Sequence, residues 1–142
     1  MKLIDVNILL YATNRDSPRH RPANAWLDET LSGEETIALP WIVLLGFLRI
    51  TTHPRIMKRP LTPTRAIDVV GSWLGLPQVF SPAPGDEHWR ILRELLTDSG
   101  TGGNLTTDAH LAALAIELGA ELCSTDRDFG RFHRVRWVNP LD

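Results

Sequence analysis

Short apolar runs alternate with stretches of helical length along this chain, and that alternation decides which folds are open to it. Leu3-Ile4-Asp5-Val6 is too short for a helix and suits a buried strand interrupted by one carboxylate. Thr36-Ile37-Ala38-Leu39 and Leu122-Cys123-Ser124 read as further strands, whereas Val79-Phe80 is too short to assign. A helix should follow Asp16-Ser17-Pro18, capped by Ser17, with Ala23, Trp26, Leu27 and Leu31 buried and Gly33 as its stop. Pro40 begins an almost wholly apolar helix, Trp41 to about Ile50, which such a composition expects to be enclosed. Thr62-Pro63 starts a helix carrying Ile67, Val70 and Trp73 inward to a stop at Gly75. Gly85-Asp86 leads into another with Trp89, Leu92, Leu95 and Leu96 inward. After the flexible loop expected at Gly100-Thr101-Gly102-Gly103, the last helix runs from Thr107 or Asp108 to Leu118, and Gly119 stops it.

Parallel strands need crossovers of a dozen residues or more, and these connections have that length. The expected architecture is therefore α/β, with a mainly parallel sheet between two layers of helices. A chain of 142 residues is one domain's worth of core, so residues 1–142 are expected to form a single unit. No apolar run reaches the roughly 18–20 residues that span a bilayer, and the start has no signal-peptide layout, so a cytoplasmic location is expected. The single cysteine, Cys123, sits in an apolar stretch and reads as packing. The five tryptophans also read as packing, with Trp41 left open as a base-stacking residue. A net charge of -2 does not advertise a nucleic-acid binder. Catalytic carboxylates can mask basic clusters, however, and arginines gather around residues 15–21, 49–59 and 127–136.

In open parallel sheets ligands bind outside the carboxyl ends of the strands. Asp5 lies at such an end, Asp126 follows the strand that ends at Ser124, and Asp108 starts a helix whose amino terminus should open toward the same edge. Taken singly, Asp108 suits a first-turn charge, and Asp126 and Asp128 suit turn residues. Asp5 is harder to explain that way, because an ionised carboxylate between Ile4 and Val6 is costly to bury without partners. Together, Asp5, Asp108 and Asp126 would repel in a low-dielectric cleft unless a cation neutralised them. Oxygen-only ligation suits magnesium or manganese, and no cysteine or histidine cluster speaks for structural zinc. Asn104 fits either a residue that orients substrate or a loop cap, and His110 and His133 could each be ligands, although a lone histidine on a helix or loop is more often solvated or hydrogen-bonded.

Three segments then carry a resemblance. Residues 3–10 (Leu3-Ile4-Asp5-Val6-Asn7-Ile8-Leu9-Leu10), 104–115 (from Asn104-Leu105-Thr106-Thr107-Asp108 on) and 124–129 (Ser124-Thr125-Asp126-Arg127-Asp128-Phe129) resemble, in order and spacing, the signature segments of PIN-domain nucleases. Residues 45–55 (Leu45-Gly46-Phe47-Leu48-Arg49 to Arg55) are similar to the second-helix segment of VapC toxins of the actinobacterial kind. The resemblance implies a PIN-like fold of three α/β/α layers, endoribonuclease activity on structured RNA and a magnesium or manganese cofactor. It also implies a homodimer and inhibition by a VapB-like antitoxin. Asp5, Asp108 and Asp126 are then the expected catalytic residues and metal ligands, with Asp128 as a further ligand. Asn7, Asn104 and Thr125 are expected to orient those groups or the substrate, and Arg15, Arg49 and Arg127 to contact RNA. The chain departs from the family pattern at Gly46, where members commonly carry a glutamate; weaker metal binding or slower hydrolysis follows unless Asp128 compensates. Two other functions fit the same residues, a non-catalytic module that binds RNA or a partner and a metal-dependent phosphatase.

Overall fold

The structure, a computed structural model, describes residues 1–100 and 102–142, so Thr101 of the expected loop lies outside the described residues. Five strands, β1 (Lys2–Ile4), β2 (Ile37–Ala38), β3 (Val79–Phe80), β4 (Glu121–Cys123) and β5 (Arg136–Val138), form one sheet in the order β3-β2-β1-β4-β5. Every pairing is parallel. The strand order reverses direction at β1, so the switch point falls between β1 and β4, the strands that lead into Asp5 and Asp126.

Six helices connect the strands: α1 (Val6–Thr13), α2 (His20–Ser32), α3 (Trp41–Thr51), α4 (Pro63–Leu74), α5 (His88–Ser99) and α6 (Leu105–Leu118). The first four pack on one another and α5 packs on α6. Right-handed crossovers put these two groups on opposite faces of the sheet, which gives the three-layer α/β/α fold. Leu3, Ile4, Ile37, Ala38 and Leu122 are fully buried between them. On the α3 side, Phe47 and Trp73 meet edge to face with centroids 4.9 Å apart. On the other side His88 ties α5 to α6, its ring nitrogens 2.9 Å from Glu117 Oε1 and 2.9 Å from His110 Nδ1.

Several expectations are corrected. Helix α1 follows Asp5 directly, where no helix was expected, and α2 begins at His20 after Ser17 and Pro18 have formed a turn instead of a cap. Helix α6 starts at Leu105, so Asp108 lies within its first turn. The last strand, β5, was not expected. The apolar helix α3 is only partly enclosed, since Trp41, Ile42 and Leu45 face outward. On α4, Val70 and Trp73 are buried as expected, but Ile67 is exposed and Ala66 takes its inward place. On α5, Ile91 and Leu95 are buried while Trp89 is 68% exposed, because the inward face is set by His88, Ile91 and Leu95 at helical spacing.

Candidate active site

The carboxylates sit at three amino termini of helical structure. Asp5 ends β1 in extended backbone and caps α1, its Oδ1 accepting a 2.7 Å bond from Val6 N. Asp126 caps a 3₁₀ turn over Arg127–Arg131, accepting a 2.9 Å bond from Asp128 N. Asp108 stands in the first turn of α6. Parallel strands deliver all three to one edge of the sheet, and helix dipoles offset part of the repulsion among them. Asp5, Asp108 and Asp126 line a pocket of about 210 Å³ at the switch point, with Asn7, Ile42, Val43, Thr107 and Leu111 among the remaining walls. Among the described residues, no lysine, arginine or histidine lines it.

Unneutralised charge leaves its mark on proton affinity. The Asp108 carboxyl is pushed up to about 6, first by desolvation and then by the nearby charges of Asp126, Asp5 and Asp128. Asp5 is also raised, mainly by burial and further by Asp126, against the lowering effect of its bonds from Ser124 and Val6. Carboxylate oxygens of Asp108, Asp126 and Asp128 all lie within 4.8 Å of one another, a spacing a single cation could bridge. The group within bridging distance is therefore not quite the expected triad: Asp5 shares the pocket, but both its oxygens are engaged, and Asp128 joins the other two in that cluster. Asp128, 49% exposed, also pairs with Arg131 at 3.3 Å. This chemistry, hard oxygen donors with the Asp5 and Asp108 carboxyls raised and no cationic side chain in the pocket walls, fits a small divalent ion.

Ser124 is the residue that sequence reasoning missed. Its buried hydroxyl donates to Asp5 Oδ2 at 2.7 Å and accepts from Asn7 Nδ2 at 3.1 Å and from Asp126 N at 3.0 Å. One donor and two acceptor positions are all that a serine hydroxyl offers, so the group is fully used. The Trp137 indole holds the Ser124 carbonyl from β5 at 2.9 Å. The clue lies in the register: Ile4 pairs with Cys123, which sets Asp5 beside Ser124 one rung on, but register cannot be read from one strand at a time.

Of the expected supporting residues, Asn7 lines the pocket and accepts from Thr125 N at 3.5 Å. The hydroxyl that holds Asp5 comes from Ser124 and not from Thr125. Asn104 is exposed at the N-cap of α6, makes no side-chain cap bond and does not line the pocket. Arg127 is exposed beside Asp126. Arg15 and Arg49 lie at or beyond the far ends of α1 and α3, about 12 Å along those helices from the edge that holds the carboxylates. Cys123 is buried and its thiol is pushed up to about 12 by desolvation, as a packing residue should be. At Gly46 an added Cβ would meet the Val6 side chain alone, Cγ2 at 3.5 Å and Cβ at 4.0 Å, so the backbone there does not demand glycine.

The pattern of the PIN domain family matches residues 2–135. The chain is 46% identical over 140 residues to Ribonuclease VapC37 of Mycobacterium tuberculosis, covering 99% of this chain and 97% of that one. It is 43% identical over 141 residues to Ribonuclease VapC33 of the same species, covering 99% of each. Among solved structures, VapBC2 from Rickettsia felis, bound to a DNA fragment from its promoter, superposes with a TM-score of 0.70 over 97% of each chain; at 18% identity that likeness speaks for the fold alone. The chain belongs to the PIN domain family, among the VapC ribonucleases.

Proposed function

We propose that this chain, as one PIN-like domain, is a metal-dependent endoribonuclease, the toxin of a toxin-antitoxin pair, that cuts structured RNA with water. The observation that carries the reading is the cation-free pocket of Asp5, Asp108 and Asp126 at the switch point, in a chain nearly half identical to a named ribonuclease. Asp108 and Asp126 would hold magnesium or manganese, with Asp5 and Asp128 on either side of them. Such an ion, when bound, supplies Lewis acidity toward the scissile phosphate, lowers the pKa of the attacking water and neutralises charge on the departing oxygen. The chain's own contribution is placement. Ser124 fixes Asp5 relative to Asp126, Asn7 steadies Ser124, and Ile42, Val43 and Leu111 keep bulk water from one side of the pocket. Arg127, next to Asp126, is the basic residue best set to meet an RNA phosphate, with Arg15 and Arg49 reaching more distant parts of a structured substrate.

A toxin must be held inactive. Trp41, Ile42 and Leu45 form an exposed apolar stretch on α3, and Ile42 also borders the acidic pocket. An apolar segment of a VapB-like antitoxin fits this face, and a basic side chain on it could reach the carboxylates and replace the ion. In the cell the chain would act as a homodimer with that antitoxin.

The experiment is cleavage of total RNA by antitoxin-free protein during magnesium and manganese titration, with the ends mapped. Asp5→Asn keeps the size of the side chain and removes its charge, so cleavage should fall by at least about a hundredfold while the protein still melts cooperatively as a folded domain. Equal cleavage by the variant at limiting magnesium would overturn the assignment.

A further inference from the structure

The outer face of α5 carries an aromatic and basic stripe that the acidic pocket does not use. Trp89, Arg93, Leu96, Thr97 and Gly100 recur at helical spacing and, with Gly102, line an open cleft of about 420 Å³. Trp89 to Gly100 spans eleven residues of helix, or about 16 Å. The glycine end of the cleft continues into the loop that opens α6, whose first turn carries Asp108. The far end is the exposed indole.

The charges on α5 are sorted by face. Glu87 and Glu94 stand to one side and are taken up by Arg90, at 2.5 and 3.1 Å, and Glu94 also by Arg134 at 2.6 Å. Asp98 lies half a turn away from the stripe, on the opposite side of the helix. Arg93 is the one charged residue lining the cleft and has no ion-pair partner among the described residues. An exposed indole beside an unpaired guanidinium offers a base-stacking surface next to a phosphate contact.

From this arrangement, and resting on the ribonuclease reading, we infer that a strand of the RNA substrate lies along the outer face of α5, with a base stacked on Trp89 and a phosphate held by Arg93. The strand would leave the cleft at its glycine end toward the carboxylates. A second copy of the chain fits the same face less well: a two-fold contact centred on the cleft, between residues 94 and 95, pairs position 93 with Leu96 of the other copy and would bury two guanidiniums in a lining that offers no carboxylate.

The test is fluorescence anisotropy of the whole protein with an end-labelled single-stranded oligouridylate in calcium buffer, the RNA checked for integrity, with sedimentation run in parallel. Trp89→Ala should weaken binding between about five- and a hundredfold, with Trp89→Phe recovering most of the loss. Arg93→Gln should lower the slope of log affinity against log salt by about 0.7, one phosphate contact on a single strand. Trp89 is largely exposed, so all three variants should melt as the wild type does. RNA bound equally by wild type, Trp89→Ala and Arg93→Gln overturns the α5 track and leaves the nuclease reading standing. Unchanged RNA affinity with weakened self-association overturns it in favour of a second copy. A wild type that binds no oligouridylate overturns the α5 track, while the nuclease reading, which concerns structured RNA, stands or falls by the cleavage of total RNA.

Discussion

At the amino edge of the sheet, Lys2 of β1, Glu121 of β4 and Arg136 of β5 stand in one rung, and each carboxylate there has a cation. Glu121 meets Arg136 at 3.2 Å and Lys2 at 3.9 Å, while Glu35 meets Lys2 at 2.8 Å and the terminal amine at 3.3 Å. At the carboxyl edge of the same β1 and β4, Asp5 and Asp126 face Asp108 across a pocket with no cation in its walls. Proton affinity follows this difference. Lys2 holds the Glu35 carboxyl below its ordinary value, first through a direct hydrogen bond, whereas burial and neighbouring acids push Asp108 up to about 6. One edge neutralises its charges within the chain and is built for stability. The other leaves them for an outside partner, which is how a binding site differs from a structural ion pair even when the residue types are the same.

Three changes break or sharpen that contrast. The largest effect belongs to Ser124→Ala, which removes one hydroxyl from three hydrogen bonds at the carboxyl edge. Cleavage should fall about 10- to 100-fold, the usual range for a group that orients a metal ligand, and stability by about 1–3 kcal/mol. Melting and single-turnover rates check both parts, and a stability loss at full activity would mean that Ser124 only packs. Next in size is Gly46→Glu, which places a fourth carboxylate beside Val6 at the pocket. Magnesium affinity should rise by up to about tenfold, with no penalty from replacing a mid-helix glycine. Calorimetry reads the affinity, and a melting loss without tighter binding would show that the side chain cannot turn toward the site. The smallest effect is at the amino edge, where Glu35→Gln should cost about 0.5 kcal/mol, because that pair is solvent-screened. The Glu35 carboxyl is depressed, so its contribution is present above the unfolded value of 4.5 and is lost as pH falls through the lower folded value. Melting at pH 7 and at pH 3 should therefore differ between Glu35→Gln and wild type only at the higher pH.

The candidate site was easier to read than some of the fold around it. Asp5 announced itself because an acid inside an apolar strand has few structural uses, and strand-end placement then singled out Asp126. Helix α1 was hidden because its eight residues are apolar nearly all round, so no 3.6-residue period separates it from a buried strand. Trp89 misled for the opposite reason: an aromatic residue in an amphipathic pattern is ordinarily core, and only the packing of α5 on α6 shows that His88 takes the inward place. Ser124 depended on strand register, which is a tertiary fact.

The central claim, that the carboxyl edge keeps charge in reserve for a divalent cation, is tested most directly by melting wild type and Asp108→Asn at pH 7 with and without magnesium. A carboxyl raised from 3.8 to about 6 in the fold contributes most to stability below its unfolded value, and that contribution is lost as pH rises through 6. At pH 7 without metal it is therefore a net cost, which Asn removes. After allowance for the half-exposed position of the group, Asp108→Asn should raise metal-free stability by about 1 kcal/mol, or about 3 °C. Magnesium should then raise the melting temperature of the wild type and leave that of the variant nearly unchanged. A variant that melts below wild type without metal, and gains as much as wild type when magnesium is added, would contradict the account.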